Sequence, residues 1–509
     1  FEGLGAVGSS RSPLLGLEPA ALGEEWVNRL RAHLSGAIMA RIPGQAGAFA
    51  SGAVTGDRSQ IVQATVQDLR ASNLSHLLAI SGMNMAFLTG FVFALVRYGI
   101  ALVPPMALRL NSKKVAAAVA LLVSAFYLAL SGANVATERA FVMVAVMLVA
   151  VLADRRAFTL RAVALAGTLL LLWQPDSLFG PGFQMSFAAT IALVAGFDAL
   201  RRWPRAQGLP WWGRGVMVAV LSTVIAGAAT APLGAAHFNR FTDYGMIANL
   251  LTVPAMGMLI MPGAVIAVLL APLGLAAPGF WAMELGARWI LAVAHLVAGW
   301  KGAVTGIPAP VPAVLPLLAL GALWVVIWQG RARWLGIVPL LAGFVLWAVL
   351  PRPDLLISAD GGLAGVMGSE GRALSAAKGA GFAATDWLAN DGDLADQEEA
   401  ANRKGFTGPA MARGFQLGGW RGVVLKGKGA AAQLDRACKE NDLVILAADL
   451  AALPEGCIVI DRTELALSGA VAGWLEPDGG LRLVPVNRSA RAWTGRSKAQ
   501  PVIVLLPPQ

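Results

Sequence analysis

The sequence predicts a polytopic α-helical membrane protein, with about ten transmembrane helices and a small C-terminal α/β extramembrane domain, on three observations. The 509 residues are 57% hydrophobic and 14% charged, whereas an ordinary soluble domain is about 45–50% apolar and about 25% charged. Long apolar runs fill the stretch between Arg70 and Pro351, where charge is sparse. Beyond Pro351 the pattern turns to short apolar runs separated by Gly, Asp and helical stretches, as buried strands require.

Three zones follow: an extracytoplasmic front segment over 1–75, a transmembrane body over 76–350, and an extracytoplasmic α/β tail over 351–509. The chain opens at Phe1 with neither an initiator Met nor a signal peptide, and Phe1–Gly8 reads as the end of a missing upstream domain. From Leu22 to Ile42, Glu24, Glu25, Arg29, Arg31 and Arg41 alternate with Trp26, Leu30, Leu34 and Ile38 at helical spacing, which suits a helix lying along an interface. A second polar-apolar helix is expected over Gln45–Leu74, interrupted at Thr55–Ser59. Candidate spans centre on Met85–Val103, Val115–Leu130, Ala140–Ala153, Ala162–Trp173, Phe183–Phe197, Val216–Ala236, Met246–Leu270, Phe280–Trp300, Ala313–Trp328 and Trp334–Leu350. Pro254 and Pro262 make the Met246 segment the candidate for a broken helix lining a cavity.

Basic residues cluster in alternate connections: Arg97, Arg109, Lys113 and Lys114; Arg155, Arg156 and Arg161; Arg201, Arg202, Arg205 and Arg214; Arg331 and Arg333. The other loops hold little beyond Arg139, Arg240 and Lys301, so the odd-numbered loops are placed in the cytoplasm and both ends of the chain outside it. Part of the net charge of +10 is therefore a topology signal.

His76, Ser81 and Asn84 stand at the lip of the first span, where polar groups are costly unless paired or wetted. Five blocks run in order: Ala53–Ser59 with Asp57 and Arg58; His76–Gly82; Tyr127–Gly132 before Arg139-Ala140; Gly182–Phe187 with Gln184 and Ser186; and Ala248–Leu251 with Asn249, before Pro254. On these blocks the chain resembles the ComEC-type competence proteins, which bring transforming DNA through the inner membrane as a single strand. The resemblance implies a multi-pass plasma-membrane channel whose partners are single-stranded DNA, membrane lipids, a periplasmic DNA receptor and a separate cytoplasmic motor. One subunit or a homodimer could form the pore. A transporter of a small or lipid-linked solute fits the composition equally, yet gives no account of the ordered blocks.

At Asn84 the chain departs from the family, where a second His is expected; Asn can still hydrogen-bond but carries no proton charge near neutral pH. Arg139, beside Glu138, reads either as an interfacial anchor or as a phosphate contact at the entrance. Gln184, Ser186 and Asn249 read as helix-to-helix partners or pore lining, and Glu284 with Arg288 as a structural pair on one helix face. Trp281, Trp289, Phe238 and Phe241 could serve as platforms for bases, although interfacial placement explains most Trp residues. No catalytic residue is assigned: Ser81 lacks a nucleophile elbow, and no phosphate-binding Gly-x-x-x-x-Gly-Lys-Ser/Thr loop occurs.

In the tail, Leu355–Ser358, Gly422–Leu425, Leu443–Leu446 and Cys457–Ile460 read as strands. The resemblance implies a degenerate metallo-β-lactamase-like region here. All four His (His33, His76, His237, His295) precede it, so neither a metal nor another cofactor is expected and a non-nucleolytic remnant is. Asp360, Asp386, Asp391 and Asp393 could hold a hard cation, but Asn390–Asp393 reads equally as a turn. Cys438 and Cys457 form a disulfide if the tail is extracytoplasmic, or remain two buried thiols if it is cytoplasmic.

Overall fold

Apolar runs bounded by polar caps build the helices. The computed structural model describes residues 26–78, 80–201, 210–349, 351–450, 454, 456–486 and 502–505. Phe1–Gly8, Glu24 and Glu25, Arg202, Arg205 and Leu350 lie outside the described residues. Four short helices come first: α1 (Trp26–Arg41), α2 (Gly44–Thr55), α3 (Gln63–Ala71) and α4 (Ser75–Leu78). Then follow α5 (Gly82–Ala101), α6 (Pro104–Arg109), α7 (Ser112–Leu130), α8 (Val135–Leu152), α9 (Leu160–Trp173), α10 (Pro181–Arg201) and α11 (Trp211–Phe238). Beyond them lie α12 (Gly245–Ala255), α13 (Met261–Leu270), α14 (Ala277–Ala298), α15 (Val314–Ile327) and α16 (Ile337–Val349). Asn111, Asn134 and Thr159 each accept a backbone N–H from three residues on, starting α7, α8 and α9.

Among the described residues, eight helical segments are long and apolar enough to cross a membrane, and α9 and α15 are shorter apolar helices of 14 residues. Together they occupy the ten expected places, in a polytopic helical membrane protein. The Met246 segment differs from expectation, because it is one continuous helical span from Gly245 to Leu273 and is not broken. Pro254 lies inside the helix before a π turn, Met256–Ile260, in which Met261 N–H donates to Met256 C=O. Widening the helix there leaves room for the Pro262 ring, which has no N–H to give.

The chain forms two compact units, one made of the described residues up to Gly227 with Tyr244–Ala303, the other of Ala228–Asp243 with the residues from Val304 onward. In the first unit α2 is buried from Ala46 to Ala53, since its Gly and Ala residues let neighbouring backbones approach closely. Phe49, Ala50 and Ala53 join Met85, Tyr127, Met256, Met283 and Ile290 in one core, so the front helices are part of the helical body. Near the start of α1, Arg31 Nε donates to Leu130 C=O at 2.6 Å, at the end of α7. At its far end, the Arg41 guanidinium carbon lies 4.9 Å from the Phe280 ring centre, in the first turn of α14.

In the second unit β1 (Arg240–Thr242) pairs antiparallel with β2 (Val304–Gly306). The tail supplies β3 (Leu355–Ile357), β4 (Ala364–Gly368), β5 (Gly371–Leu374), β6 (Phe406–Thr407), β7 (Ala412–Leu417), β8 (Trp420–Leu425), β9 (Leu443–Leu446), β10 (Ile458–Ile460), β11 (Val471–Leu475), β12 (Leu481–Pro485) and β13 (Ile503–Leu505). They form a five-stranded sheet, β10-β9-β8-β7-β6, and a six-stranded sheet, β13-β12-β11-β3-β4-β5. Leu355, Ile357 and Val366 of one sheet share a core with Phe415, Val424, Leu443 and Ile445 of the other. On the outer side of the five-stranded sheet, Val423, Leu425, Val444 and Leu446 pack with Leu434 and Ala437 of α19 (Leu434–Glu440). Leu374 and Ala376 pack with α17 (Gly381–Asn390) and α18 (Gln397–Ala401). Burial on both faces is why these strands read as unbroken apolar runs.

Candidate functional site

Three of the five sequence blocks meet around one glycine. Gly56 has φ +85°, and a Cβ there would press within 3.3 Å of both Ile80 Cδ1 and Ser131 O, so the turn after α2 can close only on a residue without a side chain. Beside it the Tyr127 hydroxyl donates to Ala53 C=O at 2.9 Å, both buried. Asp57 Oδ2 accepts the Ser35 hydroxyl at 2.6 Å, and its Oδ1 accepts the Ser59 N–H and hydroxyl at 3.0 and 2.7 Å. The Ser35 hydroxyl, then those of Ser59, hold the Asp57 carboxyl below its ordinary range. Arg58 points outward, and desolvation lowers its guanidinium from the usual value.

His76 sits on α4 with an accessible face. Surrounding protein strips water from the rest of the ring and pushes its imidazole down to about 4, against an opposing bond to the Asn73 backbone. Ser81 caps α5: its hydroxyl oxygen accepts Asn84 N–H at 3.4 Å. The fully buried Asn84 turns its amide back to donate to Leu77 C=O at 3.3 Å. That bond ties α5 to α4 and needs no protonated ring.

Arg139 lies buried near the start of α8, its guanidinium against Gly182, where any Cβ would collide with it. Its Nε is buried and finds no acceptor among the described residues. Gln184 donates to Leu178 C=O at 3.0 Å, and Ser186 lies two residues further along the same helix, α10. Asn249 donates to its own helix at Gly245 C=O, and the Pro254 ring is exposed. The structure thus gathers Asp57, Ser81, Asn84 and the Arg139–Gly182 contact around the start of α5 and α8, with Gly82 3.8 Å from Ala140 for an added Cβ. Asn249 and Pro254 serve their own helix.

The family model for the Competence protein family matches residues 53–332, more than half of the chain. This chain belongs to the Competence protein family. It is also similar to ComE operon protein 3 of Bacillus subtilis (strain 168), 29% identical over 245 residues, or 48% of this chain. That match covers 29% of the relative, so the chain spans less than a third of its length. No solved structure matches the chain.

The tail of this competence-family chain lies beyond the matched residues. Its four candidate carboxylates are engaged by protein groups. Arg372, fully buried, forks onto Asp391 at 2.5 and 3.2 Å, and Arg403 forks onto Asp393. The Arg403 guanidinium holds the Asp393 carboxyl below its ordinary range. Asp360 accepts the Ser358 hydroxyl at 2.6 Å, and Asp386 accepts from Asn390 at 3.1 Å. Among the described residues no three of His, Cys, Asp and Glu stand where they could hold a metal ion. Sequence reasoning missed Arg372 and Arg403, because nothing local in the pattern marks partners 19 and 10 residues away. The sulfurs of Cys438 and Cys457 are 2.03 Å apart, at bonding distance.

Proposed function

We propose that this chain is the membrane channel through which DNA enters the cytoplasm as a single strand during competence, with no catalytic step of its own. The observation that carries this reading is Arg139: a buried cation at the head of a membrane span, seated on a glycine that only a missing side chain accommodates, with Nε lacking an acceptor. A planar guanidinium at the head of a span suits a phosphodiester oxygen. His76 and Asn84 shape the entrance by hydrogen bonding. The family assignment supports DNA as the cargo. A periplasmic receptor would deliver the strand, a separate cytoplasmic motor would draw it in, and one chain or two would form the pore. The tail acts as a non-nucleolytic extracytoplasmic remnant, closed by a Cys438–Cys457 bond.

The test separates three stages in cells whose competence channel is this chain: DNA binding, periplasmic uptake and cytoplasmic delivery. Deleting it should abolish delivery alone. Arg139→Gln, with membrane insertion verified, should lower delivery by about tenfold, the scale of a lost charge-assisted contact, while Arg139→Lys keeps part of it. Normal delivery in the deletion strain rejects the channel.

A further inference from the structure

Helix α14 is 22 residues long, about 33 Å, the length of one bilayer crossing. One stripe along it stays uncovered: Trp281, Leu285, Arg288, Trp289, Ala292 and Leu296. Arg288, the twelfth of these 22 residues, is at the middle of the span with 62% of its side chain accessible, and its guanidinium meets Glu284 at 2.6 Å. Its side chain cannot bridge the roughly 15 Å to either interface, so snorkelling does not explain it. Hydrocarbon is a poor solvent even for a paired charge, and such residues in spans face water or protein.

The polar groups share one edge of the stripe. Glu284 and Arg288 are a turn apart; two turns on, His295 Nδ1 lies 2.9 Å from Asp68 Oδ2 of α3. Toward the other end, the Arg41 guanidinium covers Phe280. A seam from Phe280 to His295 therefore follows about 22 Å of the crossing. Trp281 and Trp289 flank it, 64% and 48% exposed, and Trp289 lies too deep for an interfacial belt.

We infer that this edge of α14 is wetted and that Arg288 contacts the phosphate backbone of the passing strand, an inference that rests on the channel reading above. Glu284 holds the guanidinium extended and offsets its charge, so that a polyanion is attracted yet released, as conduction demands. The indoles beside it offer sequence-tolerant stacking for bases.

Two readouts test this in the full-length chain. Ala292→Cys, on the stripe, and Leu122→Cys, exposed in the middle of α7, are treated in intact cells with a permanently charged, membrane-impermeant thiol reagent, the unsubstituted chain giving the background. Wetting predicts that Ala292→Cys reacts at least about tenfold faster than Leu122→Cys, since a charged reagent is excluded from hydrocarbon. Equal inertness overturns the wetted edge, as does efficient Ala292–Ala292 crosslinking between two chains, which would make the stripe a subunit contact. For the phosphate role, Arg288→Gln should lower cytoplasmic delivery about fivefold with uptake and insertion unchanged, and Arg288→Lys should restore at least half. Delivery by Arg288→Gln equal to the unsubstituted chain overturns that role. If the unsubstituted chain delivers no DNA, the channel reading and the phosphate contact fall together, while the labelling still decides whether the edge is wet.

Discussion

Single side chains at the start of α5 and α8 set measurable expectations. Gly182→Ala places a methyl against the Arg139 guanidinium, so purified protein in detergent should lose about 1–3 kcal/mol of stability, read as a lower unfolding temperature. Asn84→Ala leaves the Leu77 carbonyl without this donor in the core and should cost about 1–3 kcal/mol by the same measurement. His76 adds a pH dependence whose sign is fixed by its lowered pKa. The folded chain resists protonation between about 6.5 and about 4 while the unfolded chain does not, so the His76 contribution is intact above about 6.5 and is lost as pH falls toward 4. His76→Gln should flatten the unfolding temperature across that window, and an unchanged slope would refute the assignment. Asp57 follows the same sign at lower pH: its depressed pKa confers stability that is present above about 3.9 and is lost as pH falls below it, so it contributes nothing to the trend between 5 and 8. His76 and Asn84 were legible in the sequence because polar groups beside an apolar run stand out. The contact between Arg139 and Gly182 was not, since the two are 43 positions apart in blocks that only the packing of α8 against α10 joins.

At the scale of elements, what the sequence shows depends on whether the pattern is local. The strands at Leu443–Leu446 and Ile458–Ile460 were legible because each is apolar on both faces and bounded by polar residues. The burial of α2 was not: Gly and Ala in Gly44–Thr55 resemble a weak loop-like helix until neighbouring helices are seen to use their small size. The π turn was equally hidden, as Pro254 and Pro262 signal an interruption without saying that the helix absorbs it by widening. The clamp at Asp391–Asp393 yields the sharpest element-scale expectation. Arg372 is enclosed between β4 and the turn after α17, donating to Gly365 and Pro353 carbonyls as well as to Asp391. Arg372→Ala would strand a buried carboxylate and should cost about 3–5 kcal/mol, appearing as protease sensitivity confined to the tail of the full-length chain. Replacing both partners, Arg372→Met with Asp391→Leu, should recover most of that loss, because the charge left alone is what destabilises.

For the whole molecule, the distribution of charge and the position of the cysteines test one arrangement together. With ten crossings the chain would return to the side from which it started, and the positive-inside rule, applied to the basic loops at Arg109–Lys114, Arg155–Arg161 and Arg331–Arg333, predicts that side to lie outside the cytoplasm. The tail would then fold in an oxidising compartment, where a Cys438–Cys457 bond persists. The two residues are 19 apart in sequence, and closing a loop of that size in the unfolded chain confers about 3 kcal/mol by the chain-entropy argument. In intact cells, therefore, neither cysteine should take up a membrane-impermeant maleimide until an impermeant reductant is added, after which both should label from outside. Cys438→Ala should lower the unfolding temperature of the oxidised protein and leave the reduced protein nearly unchanged, apart from the small packing contribution of a buried sulfur in the α19 core. Labelling of both thiols without reduction, obtained only after the inner membrane is permeabilised, would place the tail in the cytoplasm. An odd number of crossings would then be required, and the entrance proposed around Gly56, Ser81 and Arg139 would have to be assigned to a side independently of the tail.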